Sequence, residues 1–197
     1  MNLVIVSASH RAESQSFNVG EYLKFNAKQF ESISHIELAM LNLPFWDGTS
    51  DKGESWAQVK SSLEEADAII AITPEWNGMA SPLLKNFLMM CDLDMTDNKP
   101  IMYVAVSSGI GGTYPIAELK MDGGKNNGLI PISEHLIIRG VEGFLNPEIE
   151  SSHEKQLRLR IEYSLEMLAR FSEALSNLRV NLKSNPIKNR QLFSYGM

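Results

Sequence analysis

The run Ala68-Ile69-Ile70-Ala71-Ile72 is apolar at every position, and no other feature constrains the fold as tightly. A strand with one face in water alternates apolar and polar residues, whereas a strand covered on both faces does not. This run therefore predicts a central parallel strand with helices above and below it. The other predicted elements agree. Asn2 to Val6 is a short β-branched strand, Ile101 to Val106 is another strand, and Ile36-Glu37-Leu38-Ala39-Met40 alternates as a half-exposed edge strand.

Helical spacing fills the intervals. Phe17, Val19, Leu23, Ala27 and Phe30 recur on one face, and a second helix over about 55–66 carries Trp56, Val59 and Leu63. Ser81-Pro82 reads as an N-cap hydroxyl followed by proline at the first helical position, opening a helix that buries Leu84, Phe87, Leu88 and Cys91. The stretch Asp122-Gly123-Gly124-Lys125-Asn126-Asn127-Gly128 interrupts the next crossover helix. A fifth strand is expected near Val141 to Leu145 and a helical segment over Pro131 to Ile138, two assignments that can be exchanged. Ser151-x-x-Glu154 resembles a capping box, and the stripe from Leu157 through Ile161, Leu165, Leu168, Phe171 and Leu175 to Leu178 predicts one long final helix.

The expected architecture is a doubly wound five-stranded parallel α/β sheet with helices on both faces, joined by right-handed crossovers. With 197 residues, 44% of them hydrophobic and 21% charged, the chain is long enough for one sizeable core and short for two. A single domain is expected over 1–182, with a tail over 183–197 whose Leu192, Phe193 and Tyr195 are candidates for docking on a partner subunit. The net charge of -6 argues against nucleic acid or an anionic membrane as the main partner. No apolar run approaches the roughly 20 residues of a spanning helix. A lone Cys91, and a start that runs straight into Leu3-Val4-Ile5-Val6, make the cytoplasm the expected compartment.

In sheets of this kind ligands collect outside the carboxyl ends of the strands, near the switch in strand order. The first such loop, Ser7-Ala8-Ser9-His10-Arg11-Ala12-Glu13-Ser14-Gln15-Ser16, sets four hydroxyls and a guanidinium before a helix. Helix-start N–H groups, short-range hydroxyl donors and an Arg fork suit phosphate. The loop lacks both the Gly-x-x-x-x-Gly-Lys-Ser/Thr spacing that wraps a triphosphate and the Gly-x-Gly-x-x-Gly spacing that takes a pyrophosphate, which leaves a terminal monophosphate. The competing reading is that the serines only cap the helix while Arg11 faces water. The second loop, Thr73-Pro74-Glu75-Trp76-Asn77-Gly78-Met79-Ala80, offers a rigid proline, a flat aromatic and hydrogen-bonding groups to a planar heterocycle, or else is a tight turn with Trp76 as peripheral core. In the third, Ser107-Ser108-Gly109-Ile110-Gly111-Gly112-Thr113-Tyr114, glycines let backbone approach a flat ligand or serve the turn alone.

Ser9-x-Arg11-x-x-Ser14-x-Ser16, Thr73-Pro74-Glu75-Trp76-Asn77-Gly78 with Leu84-Lys85-Asn86, and Ser107-x-Gly109-x-x-Gly112 resemble the NADPH-dependent FMN reductase family, flavodoxin-like enzymes that include quinone and azo-dye reductases. The resemblance covers Met1 to Gly112 in good order. It implies that Ser9, Arg11, Ser14 and Ser16 hold the phosphate of FMN, that Pro74, Glu75, Trp76, Asn77 and Gly78 line the flavin ring, and that Ser107, Gly109 and Gly112 close its other side. It further implies that NADPH or NADH is the donor, that a quinone, azo compound or free flavin is the small-molecule acceptor, that the flavin carries the chemistry without a protein nucleophile, and that the chain forms a homodimer or higher homo-oligomer. The departures are Ala8 for the usual glycine, Trp76 for tyrosine, Ser81-Pro82 for Pro-Gly and Met89 for aspartate; they bear on substrate choice more than on flavin binding. The alternative is a flavin-binding electron carrier or redox-sensing module that does not itself oxidise NAD(P)H, and behind it a scaffold that binds no nucleotide.

No metal site is expected. His10, His35, His135 and His153 lack ligand spacing and read as surface or capping residues, and only His10 is near the first loop. Asp92-x-Asp94-x-x-Asp97 lacks the rest of a calcium loop and reads as a solvated helix end. Cys91 and the cluster Met79, Met89 and Met90 read as core.

Overall fold

The computed structural model describes residues 1–145 and 151–193. In chain order the elements are β1 (Asn2–Ser7), α1 (Gln15–Asn26), β2 (Ser32–Glu37), a 3-10 turn (Leu38–Met40), α2 (Trp56–Glu65), β3 (Ala68–Trp76), β4 (Met79–Ala80), α3 (Pro82–Met90), α4 (Leu93–Thr96), β5 (Pro100–Ser107), α5 (Thr113–Asp122), β6 (Ile130–Pro131), β7 (Leu136–Arg139), α6 (Val141–Leu145) and α7 (Ser152–Ser184), with a 3-10 turn over Arg190–Phe193 after it. The sheet order is β2-β1-β3-β5, and β6 and β7 share the fifth position by pairing with successive parts of β5. All of these pairs are parallel. This is the doubly wound, flavodoxin-like order, whose switch point lies between β1 and β3.

Burial on both faces stems from the uninterrupted apolar strands. Val4, Val6, Ile69, Ala71, Ile101 and Tyr103 pack with Trp56, Leu63, Leu84, Phe87 and Leu119 from α2, α3 and α5. The alternate residues Leu3, Ile5, Ile70, Ile72, Met102 and Val104 pack on the opposite face with Val19 and Leu23 of α1 and Ile161, Leu165 and Leu168 of α7. Each face thus carries its own apolar layer, and neither can be solvated without exposing half the core.

The helix-start signals are made as the sequence predicts. Ser81 accepts from the N–H of Leu83 with Pro82 at the first position of α3. Ser151 and Glu154 form both bonds of the capping box, at 3.2 and 2.8 Å.

Met79 and Met89, read as core together with Met90, are exposed, and only Met90 is buried; two element assignments are corrected as well. The edge strand lies over Ser32–Glu37 rather than 36–40, because pairing with β1 sets Asn2 opposite Ser32 and Ser7 opposite Glu37; Leu38 to Met40 form the 3-10 turn that leaves the sheet. The fifth strand and the neighbouring helix are exchanged. Leu136–Arg139 pair with Val104 to Ser107, and Val141–Leu145, read from sequence as the strand, are α6, with Val141 and Phe144 on its buried side. The segment 122–128 does interrupt the crossover, since α5 ends at Asp122. Buried Asn127 fastens the loop beyond this helix by donating to the carbonyls of Leu88 and Gly123. Of the apolar residues singled out in the tail, Tyr195 lies outside the described residues, and Leu192 is exposed.

At the amino end of the sheet Lys99 is 7% exposed and donates from Nζ to the carbonyls of Leu63 and Glu64. It closes the C-terminus of α2, where a cation opposes the partial negative charge of the last carbonyls. Burial, helped by the nearby Arg179 guanidinium, lowers its pKa from the ordinary 10.5 to about 8. No helix among the described residues is long and apolar enough to cross a membrane.

Candidate functional site

At the switch point β1 ends on Ser7, and the chain crosses to α1 through the hydroxyl-rich loop. Ser14 is the N-cap of α1, and its Oγ accepts from the N–H of Phe17 at 3.1 Å. Ser9 Oγ likewise accepts from the N–H of Arg11 at 3.1 Å. Each hydroxyl uses a lone pair on backbone, which leaves its own O–H to donate. Ser16 is buried in the first turn of the same helix. The N–H groups of Gln15 and Ser16 belong to that turn and have no helical acceptor. Arg11 is exposed, forms no ion pair among the described residues, and sets its guanidinium carbon 5.5 Å from the centre of the Trp76 ring. Hydroxyl and backbone donors beside an unneutralised guanidinium make an anion cradle. Ser14 does cap α1, and that role is compatible with donation to an anion.

A cavity of about 340 Å³ opens over this cradle. The first loop lines it with Ser9, Arg11, Ser14 and Ser16, together with Ala12, Glu13 and Gln15. Pro74, Glu75 and Trp76 form a second wall, and Val106, Ser108, Val141 and Glu142 complete it. Its volume is within the range of small-molecule sites. Two larger cavities, of about 560 Å³ beside Trp46, Met89 and Met121 and about 370 Å³ beside Lys99 and Arg179, lie away from the carboxyl ends of β1, β3 and β5. Size does not choose between the three; the convergence of donors at the switch point does.

The second loop is a β-hairpin. Trp76 pairs with Met79 across Asn77 and Gly78, whose φ values of 51° and 75° are both positive, as a two-residue Asn-Gly turn requires. Asn77 and Gly78 thus shape the hairpin that presents Trp76 and are not in the cavity wall. Trp76 has His10 beside it, with ring centroids 5.3 Å apart.

Glu75 turns its carboxylate to the third loop. Oε2 accepts from the N–H of Gly112 at 2.8 Å and is reached by the Ser107 hydroxyl at 3.4 Å. Gly111 makes room for it, since a Cβ there would lie 1.8 Å from that oxygen. Gly112 has a positive φ of 99°, and a Cβ on it would strike Ile137. Ser107, Glu75 and Gly112 are therefore brought together as a brace, whereas Gly109 is exposed with open space around it. Further along, the N–H of Ala80 donates to Glu118 of α5 at 2.8 Å, and Lys85 pairs with Glu118 and Asp122 at 2.7 and 3.3 Å. The hydrogen bond from Lys85 holds the Glu118 carboxyl below its ordinary range, and the same contact raises the lysine. Asn86 is buried and anchors the preceding loop by bonding both Trp46 N–H and Pro44 carbonyl at 2.9 Å.

The chain matches the NADPH-dependent FMN reductase family over residues 1–142. It belongs to that family. The family region covers all three loops and reaches the start of α6. Among relatives of this family member, an NADPH azoreductase from Bacillus sp. (strain OY1-2) is 29% identical over 111 residues, 55% of this chain and 60% of that protein. An FMN-dependent NADPH-azoreductase from Staphylococcus aureus (strain USA300) is 28% identical over 128 residues, 61% and 68% of the two chains. The fold of this FMN reductase family member is shared by an oxidoreductase of Corynebacterium diphtheriae, with a TM-score of 0.72 at 17% identity over 88% of this chain and 97% of the other. It is shared too by FerB of Paracoccus denitrificans, a flavoenzyme NAD(P)H:(acceptor) oxidoreductase, with a TM-score of 0.68 at 19% identity over the same shares.

Outside the first loop, four wall residues were not among the site residues named from sequence. Val106 and Ser108 flank the recognised Ser107 at the carboxyl end of β5, so their strand-end position was a usable signal. Val141 and Glu142 come directly after β7 and become visible as site residues only once that strand is correctly placed. His35, read as a surface or capping residue, has a side chain only 2% exposed.

Proposed function

We propose that this chain is an FMN-dependent oxidoreductase that accepts hydride equivalents from NADPH or NADH and delivers two electrons to a small-molecule acceptor such as a quinone, an azo compound or free flavin. The observation that carries the proposal is a single cavity with an anion cradle at the start of α1 and an aromatic wall at Trp76. Its two ends match the phosphate and the ring of one cofactor. Family membership supports the same reading.

In this reading Ser9, Arg11, Ser14 and Ser16 hold the phosphate. Pro74, Glu75 and Trp76 bound the ring, Asn77 and Gly78 set the hairpin that presents Trp76, and Ser107, Gly109 and Gly112 shape the third loop, whose Ser108 lines the cavity with Val106. When bound, FMN supplies the hydride and electron chemistry, so the chain needs no nucleophile of its own. Its residues orient the cofactor and leave one face accessible. Glu75 contributes by fixing the third loop rather than by moving a proton. A homodimer, a cytoplasmic location and a single domain over 1–182 with a tail over 183–197 belong to the same proposal.

The test is anaerobic. Purified protein saturated with FMN should lose its absorbance near 450 nm on addition of NADPH or NADH and regain it on addition of a quinone. Protein that binds FMN but is never bleached by either nicotinamide would be an electron carrier, and protein that binds no FMN would end the proposal.

A further inference from the structure

His35 stands on the edge strand β2, yet its side chain is 2% exposed and both ring nitrogens are engaged. Nδ1 lies 2.6 Å from Glu21 Oε1, and Nε2 lies 3.1 Å from Ser7 Oγ. The Phe17 ring stacks on the imidazole, with centroids 4.8 Å apart and planes within 15°. A Cβ on Gly20 would come within 2.4 Å of His35 Cε1. Phe17, Gly20 and Glu21 are three and four residues apart, so one face of α1 offers a flat ring, a gap and a carboxylate. That face is a fitted slot for an imidazole. Lys24 of α1, 4.0 Å from Glu21, is the neighbouring cation.

The two groups that the ring joins flank the phosphate loop. Ser7 is the last residue of β1, and Glu21 lies in the second turn of α1. The Glu21 carboxylate only accepts, so Nδ1 carries a proton and donates to it, and in the neutral ring Nε2 accepts from the Ser7 hydroxyl. The bond also occupies Ser7. Its proton, otherwise free to donate to a carbonyl of the loop, is thereby committed to the ring. Neither His35 nor Ser7 lines the cavity.

We propose that His35 is a positioning residue for the FMN phosphate: by holding Ser7 and Glu21 on one ring it fixes both ends of the loop that carries Ser9, Arg11 and Ser14. The proposal rests on the FMN reading above. It predicts a selective effect, because riboflavin lacks the phosphate and uses the ring wall alone.

The experiment measures FMN and riboflavin affinities by fluorescence quenching for the wild type, His35→Phe, His35→Gln and Glu21→Ala. His35→Phe keeps a flat ring but has no polar atoms; FMN should bind about tenfold more weakly, with riboflavin unchanged. His35→Gln offers one donor and one acceptor, as the neutral imidazole does, and should recover most of that loss. Glu21→Ala, at a half-exposed side chain, should weaken FMN about threefold by releasing one end of the ring. Equal weakening of both flavins, or wild-type FMN affinity in His35→Phe, overturns the proposal. Should His35→Phe not fold, Glu21→Ala decides alone, and unchanged FMN affinity there overturns it. Wild-type protein that binds neither flavin refutes the FMN reading and this proposal with it, whereas wild-type binding with unselective variants refutes the proposal only.

Discussion

Gly111→Ala tests whether Glu75 is a brace between two loops. The new Cβ would sit 1.8 Å from Glu75 Oε2, and the three atoms nearest to it all belong to that carboxylate. Backbone need not move, because the end of a flexible side chain can swing away. The cost is then the bond from the N–H of Gly112, 2.8 Å long and partly buried; the 3.4 Å contact to Ser107 adds little. A hydrogen bond to a charged acceptor contributes about 1.5–3 kcal/mol, and partial exposure reduces that to about 1–2 kcal/mol here. For a chain of this size the melting temperature should fall by about 2–8 °C, measured by circular dichroism. In a Glu75→Ala background the bond is already absent and the Cβ meets no carboxylate. Gly111→Ala should then be neutral or slightly stabilising, since it restricts the unfolded chain. An equal loss in both backgrounds, or no loss in either, would refute the brace.

Arg11→Ala should weaken FMN binding by about 10- to 150-fold, the loss of a charge-assisted hydrogen bond, and leave riboflavin binding and thermal stability unchanged; unchanged FMN affinity would reduce the first loop to helix capping. Lys99 has a folded pKa of about 8 against an ordinary 10.5, so between these values the unfolded chain binds a proton that the folded chain does not. Stability should therefore rise with pH from about 8 towards 10.5, the buried-charge penalty being complete below pH 8, and urea midpoints of Lys99→Met should lack that rise. Gly20→Ala drives a Cβ to within 2.4 Å of the His35 ring and should destabilise the protein by about 1–3 kcal/mol, despite alanine's better helix propensity, as urea unfolding would register. Ser151→Ala should cost about 1 kcal/mol through the capping box and leave flavin affinity untouched.

Much of the architecture was legible because local signals and the sheet agree. The unbroken apolar run of β3, the Ser81-Pro82 start and the Ser151–Glu154 box each name an element without tertiary information. The exchange between β7 and α6 shows the limit. Leu136–Arg139 and Val141–Leu145 are both short apolar runs, whose periodicity cannot separate strand from helix; pairing of Leu136 with Val104 decides. Likewise β2 takes its bounds from β1, not from its own alternation. In the site, composition alone singled out Ser9, Arg11, Ser14 and Ser16, and the structure gathers them on one cavity. Glu75 did not announce its direction, since nothing in Thr73-Pro74-Glu75 distinguishes a ring contact from a brace to Gly112. His35 was hidden for a related reason: just ahead of the expected edge strand it reads as a surface or capping histidine until pairing with β1 draws it into β2 and the missing side chain at Gly20 is seen to admit it.

The hairpin that carries Trp76 is fastened twice to α5, by Glu75 to Gly112 at the entrance of that helix and by Ala80 to Glu118 nearly two turns further in. Hairpin, third loop and helix thereby form a single jaw. The opposing jaw is the hydroxyl loop, which hydrogen-bonds to none of these among the described residues. Across the mouth the link is made by side chains rather than by backbone: the Arg11 guanidinium carbon and the His10 imidazole centre lie 5.5 and 5.3 Å from the centre of the Trp76 ring.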